Sequence, residues 1–368
     1  CLTGAVSRAV SSEPSPVSLR RRAGLALASL AALLLGACRT AAPPGRPVAR
    51  AGDEIVVAGR FFHTGTPVVT WLDPGGYDAY RVERRFSAWT NAAWEISRRE
   101  VKALETPNRY GLRREPLTPE QRERFRGGGW ELAALTNLVD QFVIHFDACG
   151  TSRRCFEVLH DQRGLSVHFL LDVDGTIYQT LDLKERAWHA TTANTRSVGI
   201  EIAHIGAYPP DKAAPLAEWY GRDAHGPRLT IPPRFGDGGV RTPGFVGRPA
   251  RPELVHGRVQ DVELVQYDFT PEQYRALAHL TATLCRIFPR LRCDYPRTPD
   301  GAVVPHQLPA EELARFTGLL GHWHVQRNKV DPGPAFQWER VVREARALLD
   351  RARPRPLRSP KGAQLARP

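Results

Sequence analysis

The chain has 368 residues, 42% of them hydrophobic, with a formal net charge of +12 and a pI near 9.8. This length predicts one large domain or two small ones. The positive charge is spread along the chain and not gathered in one run, which argues against a nucleic-acid-binding protein. No methionine occurs, even at position 1, so we expect the true start of the protein to differ from Cys1.

The first 37 residues have the pattern of an export signal. Residues 20–22 are three arginines, and the thirteen mostly apolar residues 23–35 are too few to span a bilayer as a helix. The segment ends in Leu-Gly-Ala before Cys38, which resembles a bacterial lipobox. We predict that residues 1–37 are a lipoprotein signal peptide and that Cys38 becomes the lipidated first residue. An ordinary signal peptide, a buried apolar helix and export by the twin-arginine route are the alternatives.

Composition divides the part of the chain before the core into two segments. Residues 38–52 are rich in Pro, Ala and Arg without periodicity, which predicts a tether between the lipid and the folded domain. Residues 53–129 contain short apolar runs between Gly/Pro turns and a helix-start signal at Thr118 and Pro119. We interpret residues 53–129 as an N-terminal accessory extension, whose function the sequence does not indicate.

Apolar runs after residue 130 predict the core domain, over residues 130–350. The run at 138–146 ends on His145, which predicts a buried strand that delivers a histidine to its C-terminal end. Another strand is predicted at 197–203, and Glu201 is its one carboxylate. A buried unpaired carboxylate is costly, so we expect Glu201 to face a site, a metal or a partner.

Between these two strands, residues 166–173 and 176–183 predict a hairpin that turns at Asp174 and Gly175. The Pro-, Gly- and Arg-rich insert at 206–269 is longer than ordinary loops, so we expect it to flank the substrate groove. The basic tail 351–368 is predicted to be disordered.

A third polar motif lies near the C-terminus, where His322, Lys329 and Asp331 occur within ten residues. Histidine nitrogen and aspartate oxygen are zinc ligands, and lysine is a compact positive charge. The Pro-Gly-Pro sequence after Asp331 excludes helix and central strand there, so this carboxylate is predicted on a stiff turn. His324 competes with His322 as a ligand, because the two would share a face on a strand.

Cysteine usage is consistent with export. Four cysteines follow Cys38 and allow three pairings; their spacing favours two close pairs, Cys149–Cys155 and Cys285–Cys293. In an oxidising compartment both pairs would be structural disulfides. A zinc site made of all four thiolates is the alternative, although neither pair has the CxxC spacing of such sites.

Four blocks, in this order, resemble the zinc-dependent type 2 N-acetylmuramoyl-L-alanine amidases, relatives of phage lysozyme-type amidases and of peptidoglycan recognition proteins. The blocks are FVIHFDACG, SVHFLLDVDGTIYQTLDLKERAWHA, NTRSVGIEI and GH…NKVDPGPAF. The resemblance covers about residues 130–347 and is interrupted by the insert. It implies an α/β fold with one mixed, partly antiparallel sheet flanked by helices, and one Zn²⁺ at one end of the strands.

The resemblance also implies roles for individual residues. The implied zinc ligands are His145, His322 and Asp331. Glu201 matches the general base, and Lys329 matches the lysine that stabilises the oxyanion.

Three further positions bear on this assignment. His189 matches a family histidine that lies beside the substrate. One branch of the family has a tyrosine where this chain has Val167, so this chain would depend on Glu201 alone. Cys149 and Cys155 resemble the small disulfide loop that follows the first ligand in the recognition proteins.

Together these observations predict zinc-dependent hydrolysis of the amide bond between N-acetylmuramic acid and L-alanine, with water on the open fourth zinc position as the nucleophile. The expected partners are peptidoglycan or muropeptides and a membrane, through the lipid anchor, without nucleic acid. We expect an exported monomer that faces the periplasm, anchored to the outer membrane. The rival hypotheses are a peptidoglycan-binding receptor without catalysis and a structural lipoprotein that tethers the outer membrane to the wall.

Overall fold

The computed structural model describes residues 44–93, 95–96, 99, 110–113, 117–126 and 131–351. The predicted signal peptide, Cys38 and nearly all of the basic tail lie outside the described residues. The chain divides into a unit of residues 1–49 and a unit of residues 50–368. In the first unit, residues 44–49 are an exposed turn and an irregular segment. The described helices include none with both the length and the apolar character needed to cross a membrane.

Short strands occur through most of the second unit, from residue 54 to residue 321. The strands are β1 (Glu54–Val57), β2 (Arg60–His63), β3 (Val68–Thr70), β4 (Tyr110–Leu112), β5 (Gln141–Phe146), β6 (Phe169–Leu171), β7 (Ile177–Gln179), β8 (Glu185–Ala187), β9 (Ser197–Ile202), β10 (Tyr220–Asp223), β11 (Gly226–Leu229), β12 (Val255–Val259), β13 (Val262–Gln266) and β14 (Gly318–Gly321).

Among the described residues, the two longest helices come after residue 270. The α-helices are α1 (Pro119–Arg126), α2 (Leu132–Thr136), α3 (Ser152–Phe156), α4 (Ala214–Trp219), α5 (Pro271–Ile287), α6 (Ala310–Arg315), α7 (His322–Val325) and α8 (Trp338–Arg351). A π-helical turn, Glu157–Gln162, continues α3, and 3₁₀ turns occur at Trp89–Asn91, Thr191–Ala193, Pro210–Lys212 and Pro233–Phe235.

The centre of the fold is a six-stranded sheet with the order β14-β5-β9-β6-β7-β3. Strands β14, β5, β9 and β6 run parallel to one another, and β7 is antiparallel to β6. The strands β5 and β9 read as near-continuous apolar runs because both of their faces are covered, as is usual for parallel sheets. The predicted mixed sheet flanked by helices is confirmed, and the strands that form the predicted hairpin are shorter than the runs that predicted them.

Helix α5 provides much of the cover on one face of the sheet. Its start has a capping box, because the Thr270 hydroxyl accepts from the Gln273 backbone at 3.1 Å and the Gln273 side chain accepts from Thr270 N at 2.9 Å. The apolar side of α5 packs with α8 and with strand residues such as Phe169 and Ile200 in one buried cluster. This packing fixes the sheet whose C-terminal edge carries the polar residues described below.

Residues predicted as an accessory extension take part in the main fold. Strand β3 is the edge strand of the six-stranded sheet, paired in parallel with β7. Strand β4 pairs with β8, and the fully buried Arg113 follows it. The Arg113 guanidinium donates to the carbonyls of Thr195 and Ser197 at 2.7 and 3.0 Å. The extension is therefore connected to the loop that leads into β9.

The insert at 206–269 is an ordered region built from α4 and two hairpins, β10–β11 and β12–β13. The Gln260 side chain, at the β12–β13 turn, donates to the carbonyls of Trp323 and Gln326 at 2.8 and 3.1 Å. The buried Gln266 side chain, at the end of β13, donates to Pro332 O at 3.0 Å and accepts from Ala335 N at 2.9 Å. The β12–β13 hairpin thus supports α7 and the turn that follows Asp331.

Candidate metal centre

Three buried side chains, His145, His322 and Asp331, meet at the C-terminal edge of the sheet. The Nδ1 atoms of the two histidines are 3.0 Å apart, and they lie 2.9 and 3.0 Å from Asp331 Oδ2. Atoms bound to one zinc ion at about 2 Å cannot be more than about 4 Å apart. The three side chains are therefore close enough to hold one ion.

The sheet explains why residues so distant in sequence meet. Strands β5 and β14 are parallel neighbours, and Ile144 pairs with Gly321, so His145 and His322 follow at the same level. Asp331 precedes a turn in which Gly333 has a φ of 86°, a backbone conformation that favours glycine. A Cβ at Gly333 would also lie 2.2 Å from the Gln266 side chain, so the insert packs directly on this turn.

The structure separates the two competing histidines. The expectation that His322 and His324 share a strand face is wrong, because the chain leaves β14 at Gly321 and both residues lie on helix α7. His324 points away from the cluster, where it accepts from Gly321 N at 2.8 Å and donates to Val304 O at 2.8 Å. Of these two histidines, only His322 contacts Asp331 and His145.

Glu201 lies on β9 directly opposite His145 on β5. Its Oε1 is 4.0 Å from His145 Nδ1, and no described residue donates a hydrogen bond to its buried Oε2. Burial, and then the nearby Asp331 carboxylate, raise the pKa of Glu201 well above its usual value. An orphaned carboxylate oxygen beside three candidate ligands is the arrangement expected where a bound cation or water completes the site.

Two of the candidate ligands, His145 and Asp331, are in the protonation states that metal binding requires. Burial, together with the neighbouring His322, lowers the pKa of His145 to about 4, so its imidazole is neutral near pH 7. Burial opposes ionisation of Asp331, but the two histidines outweigh it and hold its pKa below the usual value. Because metals bind neutral imidazole and ionised carboxylate, the donor set fits a divalent ion such as zinc.

The three residues line a cavity of about 180 Å³ together with Glu201 and Lys329. The half-buried Lys329 ammonium forms no ion pair with a described residue, so its charge is available to a ligand in the cavity. None of the described residues 206–269 lines this cavity. The insert still borders the cavity wall, since a Cβ at Gly206 would lie 3.4 Å from the ring of Phe146, so the expectation that it flanks the groove stays a prediction.

His189 lies against the cluster and lines the same cavity. Its Nδ1 is 3.0 Å from His145 Nε2, and its Nε2 is 3.2 Å from the hydroxyl of Ser197. The sequence predicted substrate contact for His189, with core packing or a ligand role in place of His322 as alternatives. It did not indicate Ser197 or Gln326, whose Oε1 is 2.7 Å from His322 Nε2. The four-residue spacing of His322 and Gln326 would have been informative had a helix been predicted there.

A second group with metal-ligand chemistry is formed by Asp53, Glu54 and the exposed His63. Its carboxylates are already engaged, because Glu54 accepts from Ala51 N and Asp53 accepts from Gly65 N. These bonds account for the group as the polar end of the β1–β2 hairpin.

All four cysteines of the described residues are free thiols, so the predicted disulfides are not present in the structure. The predicted partners are nevertheless adjacent, since each thiol is hydrogen-bonded to the other member of its pair. The alternative of one four-thiolate zinc site is wrong: no group of three or more potential ligands among the described residues includes a cysteine. The pairs are Cys149–Cys155, beside the cavity, and Cys285–Cys293, under α8.

Comparison with known proteins gives one informative match. Residues 135–224 match the family model described as N-acetylmuramoyl-L-alanine amidase. This segment contains His145, His189 and Glu201 and ends before the second and third candidate ligands. A search of curated proteins found no significant match.

Several solved structures show a loose similarity. AmpD, in a selenomethionine derivative, is 18% identical with a TM-score of 0.29, over 66% of this chain and 90% of AmpD. AmiD from E. coli, complexed with anhydro-N-acetylmuramic acid-L-Ala-D-γ-Glu-L-Lys, is 18% identical with a TM-score of 0.31, over 56% of this chain and 57% of the AmiD chain. The amidase LysC from Clostridium intestinale is 17% identical with a TM-score of 0.30, over 59% of this chain and 88% of the LysC chain. At these TM-scores the overall arrangements differ too much to support a functional conclusion.

The sequence blocks and the family match over residues 135–224 agree on one enzyme class, which hydrolyses an amide bond of peptidoglycan. Residues 135–224 are therefore similar to the N-acetylmuramoyl-L-alanine amidase family.

Proposed function

We propose that the protein is a zinc-dependent hydrolase that cleaves the amide bond between the lactyl group of N-acetylmuramic acid and L-alanine. The observation that carries this proposal is the convergence of His145, His322 and Asp331 beside the orphaned oxygen of Glu201. Bound zinc would lower the pKa of a water molecule and polarise the scissile carbonyl. The ion would be held by the two Nδ1 atoms and by Asp331 Oδ2.

Glu201 is proposed as the general base. Its carboxylate lies at the level of His145 on the neighbouring strand, with Oε2 free to accept a proton from water and to return it to the leaving amine. A bound cation would favour the ionised carboxylate that this role needs, and so oppose the effect of burial on its pKa.

Lys329 is proposed to stabilise the oxygen of the scissile carbonyl as negative charge develops on it. Lys329 lines the cavity and lies two residues before Asp331, so its side chain borders the same space as the ligands. A fixed positive charge in a partly buried cavity is worth more than the same charge in water.

Mass spectrometry of purified peptidoglycan tests the reaction and the base together. The wild type should release free stem peptides, and both Glu201→Gln and Glu201→Ala should release almost none while still binding zinc. Equal release by the wild type and the variants would remove Glu201 from its role. Muropeptide binding without cleavage, by wild-type protein loaded with zinc, would favour the non-catalytic receptor.

Metal analysis separates the proposal from a tethering lipoprotein. We expect about one zinc per chain in the wild type, and far less in His322→Ala than in a His324 variant, since His324 does not contact the cluster. A wall tether would need no metal, so wild-type protein that binds no zinc would favour that class.

Lipid anchoring at Cys38, with the protein facing the periplasm at the outer membrane, is proposed from the sequence alone. Intact-mass analysis of membrane-extracted protein should give a diacylglyceryl modification on Cys38. Cys38→Ser protein that still partitions with membranes would count against this anchor.

A further inference from the structure

The two ligand histidines have the same orientation relative to the cluster. In both rings Nδ1 is directed at Asp331 Oδ2, and Nε2 contacts a different side chain. That side chain is His189 for His145, at 3.0 Å, and Gln326 for His322, at 2.7 Å. Each imidazole is thus held at the nitrogen that faces away from the proposed ion.

Gln326 is fixed in place by its backbone. It caps helix α7, where its N–H donates to His322 O at 3.0 Å, and its carbonyl accepts from the Gln260 side chain at 3.1 Å. Its side-chain oxygen can only accept a hydrogen bond, so the contact requires a proton on His322 Nε2. A neutral imidazole with that proton presents the lone pair of Nδ1 to the cluster.

His189 can act in the same way on His145. When His145 Nε2–H donates to His189 Nδ1, the proton of His189 is on Nε2, where it can donate to the Ser197 hydroxyl at 3.2 Å. The loop backbone keeps His189 there, because Asn194 Oδ1 accepts from His189 N at 3.1 Å. The chain of donors and acceptors is therefore consistent from Ser197 to His145.

We propose that Gln326 and His189 are positioning residues of the metal centre, which hold both ligand imidazoles as Nε2–H tautomers with Nδ1 turned to a divalent ion. Ser197 orients His189. This inference rests on the proposed function only in requiring that the ion binds at His145, His322 and Asp331. Outer partners of metal-bound histidines typically change metal affinity by about 10- to 100-fold when they are removed.

Zinc affinity of the purified full chain, measured by competition with a chromophoric chelator, tests the proposal without reference to activity. We expect Gln326→Leu to weaken zinc binding by about 10- to 100-fold, and Gln326→Glu, which keeps an acceptor, to bind at least as tightly as the wild type. His189→Leu should weaken binding similarly, and His189→Asn, whose amide oxygen can replace Nδ1, should recover most of it.

Gln307→Leu is the matched control. Gln307 also donates to the backbone of α7, at Val325 O over 3.0 Å, but it does not contact a ligand imidazole. Thermal melting of the metal-free proteins checks that every variant is folded; if Gln326→Leu is not, the His189 pair decides the outcome.

The possible outcomes are distinct. Wild-type protein without zinc affinity would overturn the proposed function as well as this inference. Wild-type affinity retained by both leucine variants would overturn the inference alone, and so would an equal loss in Gln307→Leu and Gln326→Leu. Loss in the leucine variants with recovery in Gln326→Glu and His189→Asn would support it.

Discussion

At Gly199 the addition of one methyl group should disturb the candidate metal centre. It lies on β9 beneath the ring of His189, and a Cβ added there would be 2.5 Å from His189 Nδ1 and Cε1. Ordinary contacts between such atoms are about 3.5 Å, so Gly199→Ala requires the ring to move by about 1 Å. A shift of that size cannot preserve both the 3.0 Å contact to His145 and the 3.2 Å contact to Ser197.

The expected effect has two parts. Overpacking of a buried site costs about 1–3 kcal/mol in the free energy of unfolding. Release of His145 from its outer partner should weaken zinc binding by about 10-fold or more, and amide hydrolysis should fall with zinc occupancy. Urea unfolding of the metal-free protein measures the first part, and chelator competition measures the second.

Gly111→Ala provides the same substitution without the clash. Gly111 lies on β4, and an added Cβ there would meet no atom within 4 Å. We expect its unfolding free energy to stay within about 0.5 kcal/mol of the wild type, with unchanged zinc affinity. If Gly199→Ala behaves like Gly111→Ala in both assays, the reasoning about the His189 contact is refuted.

Three further predictions concern the protein around the site. Burial raises the pKa of Asp172 to about 8, so the folded state keeps a proton that the unfolded state releases, and stability from this group is lost as pH rises towards 8. In Asp172→Asn the unfolding free energy should therefore decrease less steeply between about pH 5 and pH 8, by up to about 1.4 kcal/mol per pH unit. An unchanged dependence of the unfolding free energy on pH, measured by urea unfolding, would contradict this. Gln266→Leu leaves two backbone groups unpaired in the turn after Asp331, so we expect a loss of at least about 2 kcal/mol and weaker zinc binding, whereas unchanged urea unfolding would argue against the insert as a support. Oxidation with glutathione disulfide should close the two adjacent cysteine pairs, and peptide mapping that found crossed pairs would refute the pairing Cys149–Cys155 and Cys285–Cys293.

The sequence predicted best those elements whose own pattern determines them. Strands β5 and β9 are buried on both faces, so their apolar runs stand out from the surrounding chain. Helix α5 has a complete start signal at Thr270 and a long apolar face, and it ends at Ile287, two residues before Pro289. The weakly predicted strands are three or four residues long and depend on partners far away in sequence, as β3 does on β7.

The candidate ligands could be read from the sequence because the blocks that carry them resemble those of a known family. Their outer partners could not be predicted in this way. Gln326 interacts with His322 only because the chain turns from strand into helix at Gly321, and the apolar run before it predicted a continuing strand. Ser197 acts through the ring of His189, which only the folded loop brings over β9.

The segment matched by the amidase family, residues 135–224, does not contain the whole site. His322 and Asp331 lie beyond it, on a four-residue helix and an irregular turn, neither of which is stable by itself. The β12–β13 hairpin supplies the missing hydrogen bonds, through Gln260 to the carbonyls of α7 and through Gln266 to the turn. A long insertion between Glu201 and the last two candidate ligands is therefore compatible with the candidate metal centre, because part of the insertion holds His322 and Asp331 in place.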